Sequence, residues 1–253
     1  MKTALITGAT SGIGEEFARR LAKMGYRLIL TGRRGDRLEK LAMEVGTYTR
    51  TIVADLSSEE ECKAFLKQLE DETIDVFINN AGFGTCGSFT ETDLDKELAM
   101  IHVNDIAMHI LFKGILKKME ERGRGRILNV ASSAGLLPGG PYMAAYYASK
   151  AYVVSLTRAV AQELREAGSR VYVGALCPGP VDTEFNENAD VKFALPGISA
   201  KQCVKDAILG MRERRTIIVP SMGMRLAMAG MKFVPTPVLV RMTGGQQQKK
   251  LYR

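Results

Sequence analysis

The sequence predicts an α/β fold, a doubly wound parallel sheet of about seven strands flanked by helices in a single domain. Three observations carry this expectation. Short, nearly continuous apolar runs alternate along the chain with amphipathic stretches of helical period, as strands buried on both faces of a parallel sheet require. The alternation has βαβ order throughout, and right-handed crossovers then lay successive strands parallel. Glycine is abundant, with 25 residues, while tryptophan is absent and aromatic residues make up 7%. That balance suits tight strand-to-helix turns better than an aromatic-rich sandwich.

The strand runs are residues 3–7, 27–31, 51–54, 74–79, 126–131, 171–176 and 216–219. The helical stretches between them are 13–24, 38–45, 59–69, 93–121, 145–167 and 200–214. The first places Phe17, Leu21 and Met24 on one face and Glu16, Arg19, Arg20 and Lys23 largely on another, and Gly25 stands where its C-terminal stop belongs. A chain of 253 residues is long enough to bury a sizeable core, and 46% hydrophobic with 25% charged residues excludes disorder of the whole. Residues 1–220 form the expected domain, including a loop at 184–198, and 221–253 form a basic, Met-rich extension.

Charge and cysteine narrow the setting. Six of the 35 basic residues lie after Pro220, where no acidic residue occurs, so the first 220 residues hold 29 basic against 28 acidic ones. The net charge of +7 therefore belongs to the tail and describes no general nucleic-acid surface. The N-terminal apolar run is broken by Thr and Gly, unlike a secretory signal, and no stretch of about 18 apolar residues stands out as a membrane span. Cys62, Cys86, Cys177 and Cys203 form no CxxC pair and only two histidines exist, so no metal site is expected and the thiols are read as reduced in a cytoplasmic protein. His102 and His109, seven apart, are placed on one face of the long helix as structural residues.

The first strand runs into Gly8-Ala9-Thr10-Ser11-Gly12-Ile13-Gly14 and then a helix. Glycines let the backbone turn tightly and approach a diphosphate, and the helix N-terminus offers unpaired N–H groups at a positive dipole end. The spacing is GxxxGxG, not the GxGxxG of the commonest dinucleotide fingerprint; its place after the first strand is read as a Rossmann-type dinucleotide turn, the alternative being a tight strand-to-helix turn without a ligand. The second strand ends in Gly32-Arg33-Arg34. A carboxylate for a ribose 2′-hydroxyl is missing there, and a guanidinium fork matches a 2′-phosphate. NADP(H) is expected over NAD(H), with Arg33 the main contact and Arg34 a second.

Tyr146 and Lys150 stand four apart in YMAAYYASK and share a helix face. A phenol of ordinary pKa about 10 is a poor acid–base group at neutral pH, and a nearby ammonium lowers it. The pair then serves as a proton donor or acceptor toward a carbonyl or alcohol.

With these residues the chain resembles the common, non-extended branch of the short-chain dehydrogenase/reductase family over roughly residues 3–219. Thr7–Gly14 is similar to the family's cofactor turn, Asp55-Leu56 to its adenine contact, and Asn79-Asn80-Ala81-Gly82 to the motif after the fourth strand, with Asn80 near the ribose. Asn104 matches the Asn of the long helix. Ser133, 13 residues before Tyr146, matches the spacing of the catalytic Ser and is chosen over Ser132; Tyr146 is chosen over Tyr147. Pro178, Gly179, Val181 and Thr183 match the loop bordering the nicotinamide. The resemblance implies hydride delivery to a carbonyl carbon. Ser133 and Tyr146 would bond the carbonyl oxygen, with Lys150 lowering the Tyr pKa and holding the ribose. Asn104 would hold a water between Lys150 and solvent. It also implies a homodimer or homotetramer through helices 93–121 and 145–167.

The substrate cleft is expected from 136–142, 184–198 and the tail, with Leu136, Leu137, Pro138, Met143, Phe185, Phe193, Ala194 and Leu195 as apolar wall and Tyr142 as a further candidate. An apolar ketone, aldehyde, steroid or 3-oxoacyl group fits such a wall. The tail holds five methionines between residues 222 and 242, broken by Pro235 and Pro237, and ends in a mobile GGQQQKKLYR. Two readings of it stand: a helix packed on its own domain or on a neighbouring subunit, which is favoured, or a basic amphipathic segment that touches an anionic membrane or covers the substrate mouth. The rival functions are an NADP(H)-binding sensor or scaffold without turnover, and a nucleic-acid-binding module suggested only by the pI.

Overall fold

The computed structural model describes residues 1–184 and 197–251. Its order is β1 (Thr3–Thr7), α1 (Gly12–Lys23), β2 (Arg27–Gly32), α2 (Gly35–Glu44), β3 (Thr49–Val53), α3 (Glu59–Gln68) and β4 (Val76–Asn79). There follow α4 (Leu94–Ile101), a π-helical segment (His102–Ala107), α5 (Met108–Glu121), β5 (Arg126–Val130), a 3₁₀ turn (Ser133–Leu136), α6 (Ala144–Glu166) and β6 (Tyr172–Leu176). The last part is β7 (Val181–Asp182), β8 (Ile198–Ser199), α7 (Ala200–Arg212), β9 (Ile217–Ile218), α8 (Met222–Met231) and α9 (Thr236–Leu251).

The main sheet has seven strands in the order β3-β2-β1-β4-β5-β6-β9, every pairing parallel. Strand side chains alternate between two apolar layers. Leu5, Ile29, Phe77, Ile127 and Val173 face α3, α5 and α6 through Phe65, Leu111, Phe112 and Val153. Ala4, Ile6, Leu28, Leu30, Ile78 and Leu128 face α1, α2 and α7 through Phe17, Leu21, Leu38, Val204 and Ala207. This two-sided burial explains why the strands read as continuous apolar runs. Cys62, Cys177 and Cys203 are buried fillers, and burial pushes their thiols up to about 11, 12 and 12.

The structure corrects several boundaries. The third strand begins at Thr49 and the fourth only at Val76, while β7 and β8 form a short parallel pair that the sequence pattern does not signal. The long helix is interrupted by the π-helical segment. One π turn takes in an extra residue, so His102 and His109 do not share the face that plain seven-residue spacing assigns them. His102 Nδ1 is buried without a hydrogen bond among the described residues, whereas His109 Nδ1 lies 2.6 Å from the Tyr152 hydroxyl.

The run Leu94–Glu121 is long and apolar enough to span a membrane by composition alone. Its Met100, Met108, Leu111, Phe112, Ile115 and Met119 are buried within the domain. The tail is helical through Leu251 rather than free, and residues 252–253 of the segment expected to be mobile lie outside the described residues. Pro237 sits in the first turn of α9, where a missing N–H costs nothing, and Gln247 is buried against Tyr147.

Candidate active site

The strand order reverses direction between β1 and β4, which opens a crevice at the carboxyl ends of the strands. A cavity of about 1160 Å³ occupies it. Its floor is the glycine turn. Gly8 and Gly12 have φ of 62° and 56°, the left-handed region that favours glycine. Ser11 precedes α1 in extended backbone, and its side chain makes no capping bond to the first N–H groups of the helix. Gly8, Thr10, Ser11, Gly12 and Ile13 line the cavity, whereas Gly14 does not. Gly14 works from behind: a Cβ there would sit 2.2 Å from Gly8 O and 2.6 Å from Asn80 Nδ2. The turn is thus a backbone cradle, open in front and closed behind, whose shape and dipole suit a diphosphate.

Asn80 braces this cradle. Its Nδ2 donates to Thr7 O at 2.9 Å and Gly8 O at 3.1 Å, which occupies both amide hydrogens. Thr7 Oγ1 accepts from the backbone N–H groups of Asn80 and Ala81, each at 2.9 Å. Asn80, Ala81 and Gly82 line the cavity beside the turn, and Asp55 and Leu56 line it near the end of β3. Pro178, Gly179, Val181 and Thr183 form the facing wall.

Arg33 and Arg34 both border the cavity but differ in their engagements. Arg34 donates through Nη2 to Thr10 O at 3.2 Å and pairs through Nη1 with Glu184 at 3.2 Å, and Arg37 pairs with the same carboxylate at 2.7 Å. These two guanidiniums hold the Glu184 carboxyl below its ordinary value, Arg37 most strongly. Arg33 is exposed, and no hydrogen bond or ion pair engages it among the described residues. Its fork is available for a ligand phosphate.

On the other side stand Tyr146 and Lys150, presented by one face of α6 and only 8% and 5% exposed. The Lys150 Nζ lies 5.8 Å from the Tyr146 ring centre and donates to Val130 O at 3.2 Å. Burial, partly opposed by Asp105 and Cys177, lowers the Lys150 ammonium to about 8. The expected lowering of the tyrosine by Lys150 is not found. Burial dominates and pushes the Tyr146 phenol up to about 12, offset in part by a hydrogen bond from the Ser132 side chain.

The side-chain hydrogen bond to Tyr146 is therefore made by Ser132, one residue before the serine that spacing selects. Ser132 has extended backbone, φ −164° and ψ 160°, so neighbouring side chains leave the chain on opposite sides. Its Oγ also accepts from Ala134 N at 3.2 Å. Ser133 borders the same cavity, and its backbone N–H donates to Pro178 O at 2.8 Å.

Asn104 is 1% exposed inside the π-helical segment and does not line the cavity. Its Nδ2 donates to Phe83 O at 2.9 Å and Ser149 Oγ at 3.1 Å, and its Oδ1 accepts from Phe83 N at 3.1 Å. Protein groups thus occupy both amide hydrogens, and the side chain braces Phe83 and Ser149. Gly82 fits between the two side chains: a Cβ there would meet Asn104 Oδ1 at 2.8 Å and Lys150 Nζ at 3.2 Å.

Of the expected substrate wall, Leu137 and Met143 line the cavity, while Leu136, Pro138 and Tyr142 do not. Phe185, Phe193, Ala194 and Leu195 lie outside the described residues. The tail supplies the rest. Met224, Ala227, Met228 and Met231 of α8 and Leu239 and Met242 of α9 close the cavity, and Gln247 Nε2 donates to the Tyr147 hydroxyl at 2.8 Å. Spacing selects neither Tyr147, which adjoins Tyr146 in YMAAYYASK, nor these individual tail residues. The signal for α8 is the i, i+3, i+4, i+7 spacing of its four wall residues.

The chain matches the family model for short chain dehydrogenase over residues 2–192. It is 38% identical over 193 residues to oxidoreductase UcpA of Salmonella typhimurium, covering 74% of this chain and 72% of that protein. Among solved structures it is similar to a short-chain dehydrogenase from Sphingobium yanoikuyae in complex with NADPH, with TM-score 0.82, 30% identity, and coverage of 93% of this chain and 96% of that one. It is also similar to a short-chain dehydrogenase/reductase from Burkholderia phymatum in complex with NAD, with TM-score 0.81, 27% identity, and coverage of 90% and 92%. Sequence match, sheet order and nicotinamide-type crevice agree: the chain is an oxidoreductase of the short-chain dehydrogenase/reductase family.

Proposed function

We propose that the protein is an NADPH-dependent oxidoreductase that interconverts a carbonyl group and a secondary alcohol on an apolar ketone, aldehyde, steroid or 3-oxoacyl substrate. The observation that supports it most is the meeting of Tyr146, Ser132 and Lys150 with the glycine cradle in one cavity. The cradle lined by Gly8, Thr10, Ser11, Gly12 and Ile13 would hold the diphosphate, and Arg33 would hold the 2′-phosphate. The cofactor, when bound, supplies or accepts a hydride. Ser132 takes the role expected of Ser133. Its hydroxyl and that of Tyr146 hold the substrate oxygen, where negative charge builds in the reduction, and Tyr146 gives that oxygen its proton. Lys150, largely charged at neutral pH, stabilises the tyrosine oxygen as it loses the proton. Asn104 fixes Phe83 and Ser149 and so fixes the approach to Lys150.

The apolar wall of Leu137, Met143, Met224, Met228, Met231 and Leu239 supports a hydrophobic substrate. A cytoplasmic homodimer or homotetramer, with residues 1–220 as the oxidoreductase domain and 221–253 as an extension, belongs to the same reading.

A fluorescence titration with NADPH and NADH tests the cofactor. Tight NADPH and weak NADH binding is expected, with the preference lost in Arg33→Ala; equal binding of the two by the wild type overturns the phosphate role. Turnover of Tyr146→Phe, Ser132→Ala and Ser133→Ala tests the chemistry. The first two are expected to lose about 10²–10³-fold or more in kcat while still binding NADPH, and Ser133→Ala to lose far less. A larger loss in Ser133→Ala than in Ser132→Ala returns the role to Ser133, and an output that survives in Tyr146→Phe favours a sensor.

A further inference from the structure

We propose that the α8–α9 hairpin docks the enzyme on an anionic lipid surface, with the mouth of the substrate cavity held at that surface. The proposal rests on the outer face of the tail and stands independently of the cofactor assignment. Helix α8 is apolar on two opposite sides. Met224, Ala227, Met228 and Met231 form one stripe against the cavity. At 3.6 residues per turn Met222 and Leu226 fall about half a turn away, and Phe233 continues that line just past the helix. They are 65%, 67% and 90% exposed, and no residue of α8 is fully buried. A helix that is apolar all round belongs in a core or in lipid. Here one side has a core and the other faces outward. In α9, Val238 and Met242 extend the exposed apolar surface, at 47% and 51%.

Charge identifies the occupant. Lys232 and Arg241 are exposed, and Arg225, seven residues before Lys232 on the same flank, is half-buried with its Nε donating to Val219 O at 2.9 Å. All six charged residues after Pro220 are basic, while the rest of the chain is nearly neutral. Exposed apolar side chains flanked by cations, with no acidic residue in 221–253, match the headgroup and acyl boundary of an anionic bilayer. A second copy of this face would bring the same cations opposite one another across a two-fold contact. An apolar substrate dissolved in lipid would then meet the methionine-lined wall directly.

Co-sedimentation of the full chain with vesicles of phosphatidylcholine alone, and of phosphatidylcholine mixed with phosphatidylglycerol, tests this. Binding is expected to the mixed vesicles, to weaken with added salt, and to fall at least about tenfold in Leu226→Glu/Phe233→Glu. Both positions are exposed and outside the cavity wall, so unfolding midpoint and turnover of a water-soluble carbonyl should be unchanged in the variant. Lys232→Glu should weaken binding without removing apolar surface. Failure to pellet with either vesicle, or equal pelleting with both, overturns the proposal. So does a wild-type oligomer that the double variant converts to monomer while vesicle binding is absent, because the face then serves contact between copies.

Discussion

Replacing Lys150 by Met separates what the site costs from what it does. Lys150 is 5% exposed, and burial brings its ammonium from 10.5 to about 8. Each tenfold weakening of proton binding corresponds to about 1.4 kcal/mol, so keeping this side chain charged in the fold costs roughly 3 kcal/mol. Met has similar length and no charge. Its loss of the 3.2 Å bond to Val130 O removes about 1 kcal/mol. Lys150→Met is therefore expected to be more stable by about 2 kcal/mol at neutral pH, while turnover collapses.

The dependence on pH makes the test sharper. Below about pH 8 the lysine is charged in both folded and unfolded chains, and the full cost is present. Between about 8 and 10.5 the folded chain has released the proton and the unfolded chain still holds it. Wild-type stability then rises with pH relative to the variant, and the gap closes. Asp105 responds to the same replacement. Burial already raises its carboxyl to about 6 with Lys150 opposing, and in the variant it moves further up. Urea unfolding of both proteins by circular dichroism at about pH 7 and about pH 10 measures the gap. A variant less stable than wild type at the lower pH, or a gap of the same size at both, would refute the reasoning.

Three further outcomes follow from the same geometry. Reductive turnover should hold through neutral pH and decline above about 8 as Lys150 loses its proton, whereas the oxidative direction should keep rising with pH because the Tyr146 phenol sits near 12; a rate profile in each direction checks this, and identical profiles would contradict it. Gly14→Ala should fold with a loss of about 1–3 kcal/mol and bind NADPH at least about tenfold more weakly, since its Cβ would press on Gly8 O from 2.2 Å; unchanged calorimetric affinity would count against the cradle. Gln247→Ala should cost about 1–2 kcal/mol by leaving the buried Tyr147 hydroxyl unpaired, and should raise KM more than it lowers kcat, because the change loosens the cavity wall and leaves Tyr146 in place.

The sheet is legible in the sequence because strands buried on both sides have no choice but continuous apolar sequence, and the run Thr3–Thr7 coincides with β1 residue for residue. The glycine turn is equally plain, since φ values of 62° and 56° at Gly8 and Gly12 select one residue type. Other features leave no local trace. The π-helical segment around Asn104 reads in the sequence as part of one continuous helix, and the bonds of Asn104 to Phe83 and Ser149 help to hold it. The choice between Ser132 and Ser133 turns on one extended residue, which a count of spacing cannot see. Gly244 and Gly245 argue against a helix at the tail end, yet Thr243 and Gln247 find partners in Gly139 O and Tyr147, and tertiary contacts override propensity.

The π-helical segment also says where this chain can and cannot change length. An inserted or deleted residue is ordinarily absorbed in loops, such as the irregular stretch 84–92. Removing one residue within His102–Ala107 would leave a perfectly good α-helix, and that is the difficulty. The two flanks would come into phase by turning about 100° against each other. With α5 fixed on the sheet by Leu111, Phe112 and Ile115, the turn falls on α4, and Met100 leaves the buried cluster under Tyr146. The smallest possible deletion, made where secondary structure would improve, should therefore be among the least tolerated in the chain.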